Sequence, residues 1–206
     1  MLERARFLRA AGYSTLLIDL QATGESPGNS ITFGWRERLD VVAAVEMLRQ
    51  RAPNEPIGII GMSLGGAATL FAASEIDVQA VILEAVYPSL EVALENRLRM
   101  RLGRFGVAVA PLLLSQVKGR LGVAASELRP VDRIAQLRCP VLVIGGTLDQ
   151  HTTPADTRLL YAAARQPKDL WFIEGAAHVD FLGAAGASYE QRILDFFQRT
   201  LRINAR

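Results

Sequence analysis

Short β-branched or aliphatic runs alternate with longer amphipathic stretches along most of this chain, the pattern of parallel strands joined by crossover helices. Strands are expected at Ser14 to Leu20, Ile57 to Ile60, Ala80 to Glu84, Val141 to Ile144 and Leu170 to Ile173. Helices are expected at about Leu2 to Ala11, Trp35 to Gln50, Ala67 to Ala73 and Ser188 to Leu201. Half of the 206 residues are apolar, enough for one buried core and few for two domains. The expectation is a single α/β domain over residues 1–206, with a mostly parallel sheet flanked by helices. One segment, 88–130, breaks the alternation and reads as a short helical insertion of two or three helices. Its apolar stretch from Phe105 to Leu114 either faces the core or forms a cap whose apolar side lines a pocket for an acyl or alkyl group.

Composition narrows the function classes. Basic residues exceed acidic ones by only two, and they are scattered apart from a cluster from Arg97 to Arg104, which reads as a solvated helix face. Nothing points to nucleic acid. No apolar run reaches the roughly 18 residues of a membrane span, and the N-terminus lacks the charged-then-apolar order of a signal peptide. The chain as it stands is therefore expected to be soluble and cytoplasmic. Cys139 is the single cysteine, beside Pro140 at the start of an apolar run, and reads as a small core residue.

The chemistry concentrates at Gly61-Met62-Ser63-Leu64-Gly65, set directly between an expected strand and an expected helix. A serine hydroxyl is a weak nucleophile unless it is held exposed beside a base, and a sharp strand-to-helix turn does this. Glycines two positions to either side are expected because a Cβ at Gly61 or Gly65 would strike neighbouring backbone. The turn also aims the Leu64 backbone N–H, at the positive end of the helix, where oxyanion charge would develop.

Only two histidines are available as a base, His151 and His178. His178 lies in a glycine-containing loop just past the last expected strand, at the sheet edge where Ser63 also emerges. His151 reads as decoration of its loop, with substrate contact left open. An imidazole base needs a carboxylate to fix its tautomer. Asp149, just past the strand Val141 to Ile144, meets that need; Glu84, ending the intervening strand, is the alternative acid, with a buried structural role as its other reading.

With these residues in place, the chain resembles the α/β-hydrolase superfamily over nearly its whole length. The resemblance runs from Gly12-Tyr13 through Asp19 and Gly24-x-Ser26, the Gly61 to Gly66 turn, Cys139-Pro140-Val141 and Asp149 with Pro154, to His178. It is nearest to the group that mixes small esterases with serine-aminopeptidase-like proteins. Where relatives often carry Asp-x-Arg-Gly-His-Gly-x-Ser, this chain has Asp19-Leu20-Gln21-Ala22-Thr23-Gly24-Glu25-Ser26, so substrate does not carry over from them. The resemblance implies a serine hydrolase acting on a carboxylic ester or related acyl bond, peptide and thioester bonds included. It implies a small acyl substrate and calls for no metal or organic cofactor. A non-catalytic binding or scaffold protein on the same fold is the alternative reading.

The resemblance also implies an α/β-hydrolase fold truncated at its N-terminus. Relatives place one more strand between the two expected at Ser14 to Leu20 and Ile57 to Ile60, and the loop leaving it supplies a second oxyanion N–H. The expectation is a functional protein with an N-terminal extension carrying that strand and a His-Gly-like loop.

Overall fold

The computed structural model describes residues 1–201. Four strands, β1 (Gly58–Met62), β2 (Ala80–Glu84), β3 (Val141–Gly146) and β4 (Lys168–Ile173), lie in that order in one sheet, and every pairing is parallel. Consecutive parallel neighbours require a crossover between each pair. Helix α3 (Leu64–Phe71) joins β1 to β2, and α7 (Pro154–Ala163) joins β3 to β4. Three helices, α4 (Leu90–Gly106), α5 (Ala110–Ser115) and α6 (Val117–Leu121), followed by short 3-10 turns, occupy the longer connection from β2 to β3.

Side chains along a strand alternate between faces, and the core divides accordingly. Val81, Leu83, Val141 and Val143 pack with Leu70 of α3 and Leu160 of α7 on one face; Val45 of α2 (Arg38–Arg51) joins them. Ala80, Ile82, Leu142 and Ile144 pack on the other face against Leu8 of α1 (Leu2–Ala10), Phe181 of α8 (Phe181–Ala185) and Ile193 of α9 (Ala187–Thr200). Both faces of β2 and β3 are thus covered, which is why these strands read as continuous apolar runs. Cys139 is buried in the first cluster, and burial pushes its thiol up to about 11.

One expected strand is absent. Residues 14–20 join no ladder, and no backbone hydrogen bond links them to β1. The β-branched and aliphatic content of Ser14 to Leu20 suits a strand, but a strand exists only through a partner, and β1 pairs on its other side with β2 alone. Between the two runs lies a gap. A cavity of about 680 Å³ opens on the α1 and α9 side, bounded by Leu16, Leu17, Gly58, Ile60 and Phe197. A second, of about 340 Å³, opens on the α2 side against Leu16, Ile18, Val45 and Met62.

The helical segment after β2 divides its apolar stretch between core and solvent. Of its apolar stretch, Leu114 packs against the cluster of Phe71, Leu90, Val123 and Leu128, whereas Phe105, Val109, Leu112 and Leu113 face solvent. The helix α4 bends at Gly103, whose φ of 68° lies outside helical geometry. After the bend Gly106 and Ala110 are buried, while the larger side chains beside them are not.

Candidate active site

Ser63 is the residue between β1 and α3, and its backbone is held at φ 46°, ψ −109°. A non-glycine residue in this region costs of order 1–3 kcal/mol and persists only where its surroundings enforce it. Here the Ser63 N–H donates to the Glu84 carbonyl (2.8 Å), and the Ser63 carbonyl accepts from the Ala67 N–H (3.0 Å), so both ends of the residue are fixed. Leu64 is the first residue of α3, where an N–H has no intrahelical acceptor.

The tightness of this turn rests on one of the two glycines the spacing suggested, Gly61, and on Gly66 in place of Gly65. A Cβ at Gly61 would lie 2.7 Å from the Gly66 Cα, and one at Gly66 would lie 2.1 Å from the Val86 Cγ2 and 2.9 Å from the Gly61 carbonyl. A Cβ at Gly65 would meet nothing within 4 Å. Gly61 and Gly66 therefore let helix and strand close on each other; Gly65 does not, because a Cβ there would stand in open space.

Asp149 and His178 are brought together. The His178 Nδ1 lies 2.8 Å from the Asp149 Oδ2, and the Asp149 side chain is buried while His178 is about a quarter exposed. The other oxygen, Oδ1, accepts the backbone N–H groups of His151 (2.8 Å) and Thr152 (2.9 Å). The loop after β3 thus wraps its own carboxylate, leaving Oδ2 for the imidazole. A carboxylate acceptor at Nδ1 requires the proton there, so the neutral ring keeps Nε2 as its acceptor. Ser63 Oγ makes no hydrogen bond to His178 among the described residues.

Glu84 is placed elsewhere. Its fully buried carboxylate takes the Arg4 guanidinium (Nη2 to Oε2, 2.6 Å) and the Tyr189 hydroxyl, and makes no hydrogen bond to His178. Burial works against the Arg4 charge, but attraction to Glu84 outweighs it and raises Arg4 above its ordinary value. Burial, and then the Glu84 charge, raise Tyr189, which stays a donor. Arg4 also reaches Asp180 (Nη1 to Oδ1, 2.6 Å), two residues past His178. Helix α1 is thereby tied both to the end of β2 and to the loop that carries His178.

His151 does more than decorate its loop. Its ring lies 4.9 Å from that of His178, tilted by 45°, and its Nδ1 is buried with no hydrogen-bond partner among the described residues. Burial lowers its pKa, and His178, Arg97 and Arg101 push in the same direction against Asp149. Asn96 of α4 donates to the His151 carbonyl (3.1 Å) and to Asp156 (2.8 Å), fastening the helical segment to this loop. Among the described residues no three His, Cys, Asp or Glu side chains cluster as a metal site.

The chain matches the Alpha/beta hydrolase family over residues 2–189. It is 26% identical to YqkD of Bacillus subtilis over 189 residues, which cover 90% of this chain and 62% of YqkD. It is 32% identical to the alpha/beta hydrolase domain-containing protein WAV2 of Arabidopsis thaliana over 171 residues, 78% of this chain and 53% of WAV2. The chain thus spans about half to two thirds of the length of these relatives. Its fold is similar to that of the Pyrococcus furiosus esterase Pf2001, with a TM-score of 0.76 over 98% of this chain and 77% of that one, at 20% identity. Taken with the parallel sheet and its crossover helices, the match over residues 2–189 means that this chain belongs to the alpha/beta hydrolase family.

Proposed function

We propose that the protein is a serine hydrolase that cleaves a carboxylic ester, or a related thioester or peptide bond, through an acyl-enzyme on Ser63. The observation that carries this reading is the buried Asp149 carboxylate 2.8 Å from His178 Nδ1, at the sheet edge where β1 delivers Ser63 in a strained turn. In this reading Ser63 Oγ attacks the substrate carbonyl and His178 Nε2 takes its proton. The Leu64 N–H stabilises the oxyanion. His178 then returns the proton to the leaving group, and water repeats the sequence on the acyl-enzyme. Asp149 holds the imidazole in the required tautomer and balances its transient charge. Such hydrogen bonds are often open before substrate binds, so the unmade Ser63 to His178 contact is compatible with this role. The esterase activity in the name of the Pyrococcus furiosus neighbour points the same way.

A fluorophosphonate probe tests the assignment. The folded protein is expected to be labelled at Ser63 and hydrolyse p-nitrophenyl esters, with both lost in Ser63→Ala. Labelling that survives the substitution, or a folded wild type that never labels, favours a binding protein on this fold instead.

A further inference from the structure

Residues 97–126 contain six basic side chains, Arg97, Arg99, Arg101, Arg104, Lys118 and Arg120, and no Asp or Glu. The whole chain has 23 basic and 21 acidic residues, so the remainder is net acidic and the positive charge is local. All six cations are exposed. The same stretch exposes six large apolar residues between Met100 and Leu113, among them Leu102 (61%), Phe105 (84%) and Leu112 (66%). Single exposed apolar residues are ordinary; a group of this size on one short segment marks an interaction surface. These side chains are not a misplaced core. The segment already has an inner apolar side, where Leu114, Val117 and Leu121 pack against Phe71, Leu90 and Val123. A second apolar side, from Met100 through Leu113, faces outward on both sides of the bend at Gly103.

Charge decides the partner. A second copy of this chain would bring six cations against six cations, which opposes self-association through this side. A polyanion such as nucleic acid would satisfy the arginines and leave Phe105, Leu102 and Leu112 unburied. A bilayer with anionic headgroups answers both demands, since the apolar side chains enter the acyl boundary while the flanking cations lie at the phosphates. Among the described residues no helix is long and apolar enough to cross a membrane, so the contact is a surface one.

We propose that the segment from Arg97 to Arg120 is a docking surface for the anionic face of a lipid bilayer. Leu102, Phe105 and Leu112 insert, and the five arginines with Lys118 supply the preference for negative lipid. The test is flotation of the protein with vesicles of phosphatidylcholine alone or mixed with phosphatidylglycerol. Binding is expected to be at least about tenfold tighter to the mixed vesicles and to weaken with added salt. Leu112→Ser combined with Phe105→Ser is expected to weaken binding to the mixed vesicles by about tenfold or more, with the thermal midpoint unchanged because both side chains are already in water. Arg99→Ser with Arg104→Ser should reduce the preference for anionic lipid by about tenfold or more. Equal binding to both vesicle types, no binding, dimerisation abolished by the same substitutions, or stronger retention on duplex DNA than on anionic vesicles each overturns the proposal.

Discussion

At the scale of single residues, Asp149 and Glu84 are both buried carboxylates near the C-terminal edge of the sheet, yet their surroundings differ in kind. Asp149 receives two backbone N–H groups on one oxygen and offers the other to His178. Glu84 is consumed by Arg4 and Tyr189. Under the proposed mechanism, Asp149→Asn is expected to lower turnover on a soluble ester by about 10⁴-fold, since an amide at this position favours the wrong tautomer. Glu84→Gln should leave turnover within a few-fold but strip Arg4 of its buried counter-charge, a loss of about 3 kcal/mol in unfolding free energy. Steady-state kinetics and denaturant unfolding on both variants separate the two roles; a reversed ranking in turnover would reassign the acid. The contrast also marks what a sequence can and cannot reveal. Parallel strands share one C-terminal edge, so Ser63, Asp149 and His178 can be placed together from strand order alone. Arg4 gives no such sign: an arginine in a terminal helix reads as surface, and its burial comes from partners 80 and 185 positions away. The face of His151 against His178 is equally invisible, being set by the path of a loop.

At the scale of elements, the turn that carries Ser63 shows how a motif can be right for a reason partly different from the expected one. Gly61 and Gly66 face each other across the strand and helix, while Gly65 sits in open space. Gly61→Ala and Gly66→Ala are each expected to cost about 1–3 kcal/mol or more, because the added methyl meets backbone at the first position and buried Val86 at the second. Gly65→Ala lies within helical backbone and should be neutral or stabilising by up to about 1 kcal/mol. Thermal melts of the three variants check the order; a Gly65 variant as unstable as the other two would mean that the turn closes further than the structure shows. Spacing identifies a strand-to-helix turn but cannot tell which glycine touches what, because that depends on the angle at which α3 returns across β1. Helix α7 illustrates the opposite case, a start fully specified by its local sequence. Thr153-Pro154-Ala155-Asp156 combines a cap whose hydroxyl accepts from the Asp156 N–H, a proline at the first helical position and a carboxylate returning to the Thr153 N–H.

At the scale of the whole molecule, the edge strand β1 is paired with β2 on one side and with no strand on the other, and this governs where its backbone meets water. The bonds from Gln79 N–H to the Ile57 carbonyl and from Ser63 N–H to the Glu84 carbonyl fix the orientation of β1. Backbone groups alternate in direction along a strand, so Ile59 and Gly61 face β2, while Gly58, Ile60 and Met62 face the gap toward residues 14–20. Among the described residues no backbone group bonds across that gap. The strand run Ser14 to Leu20 was legible in composition, but whether it pairs depends on a neighbour that composition does not describe. Leu16, Leu17 and Ile18 consequently remain partly in water beside Met62, along cavities of about 680 and 340 Å³. Amide hydrogen exchange reads this directly. For the 206-residue chain, the Ile60 and Met62 amides are expected to exchange at least about tenfold faster than those of Ile59 and Gly61, because they have no acceptor to break from before exchange. The alternation itself is the diagnostic: general fraying of an edge strand would speed all four alike, whereas a two-residue period requires one protected side and one bare one. Equal protection at Ile60 and Met62 would mean that the gap is closed in solution by a hydrogen-bonding partner, with residues 14–20 the nearest segment able to serve.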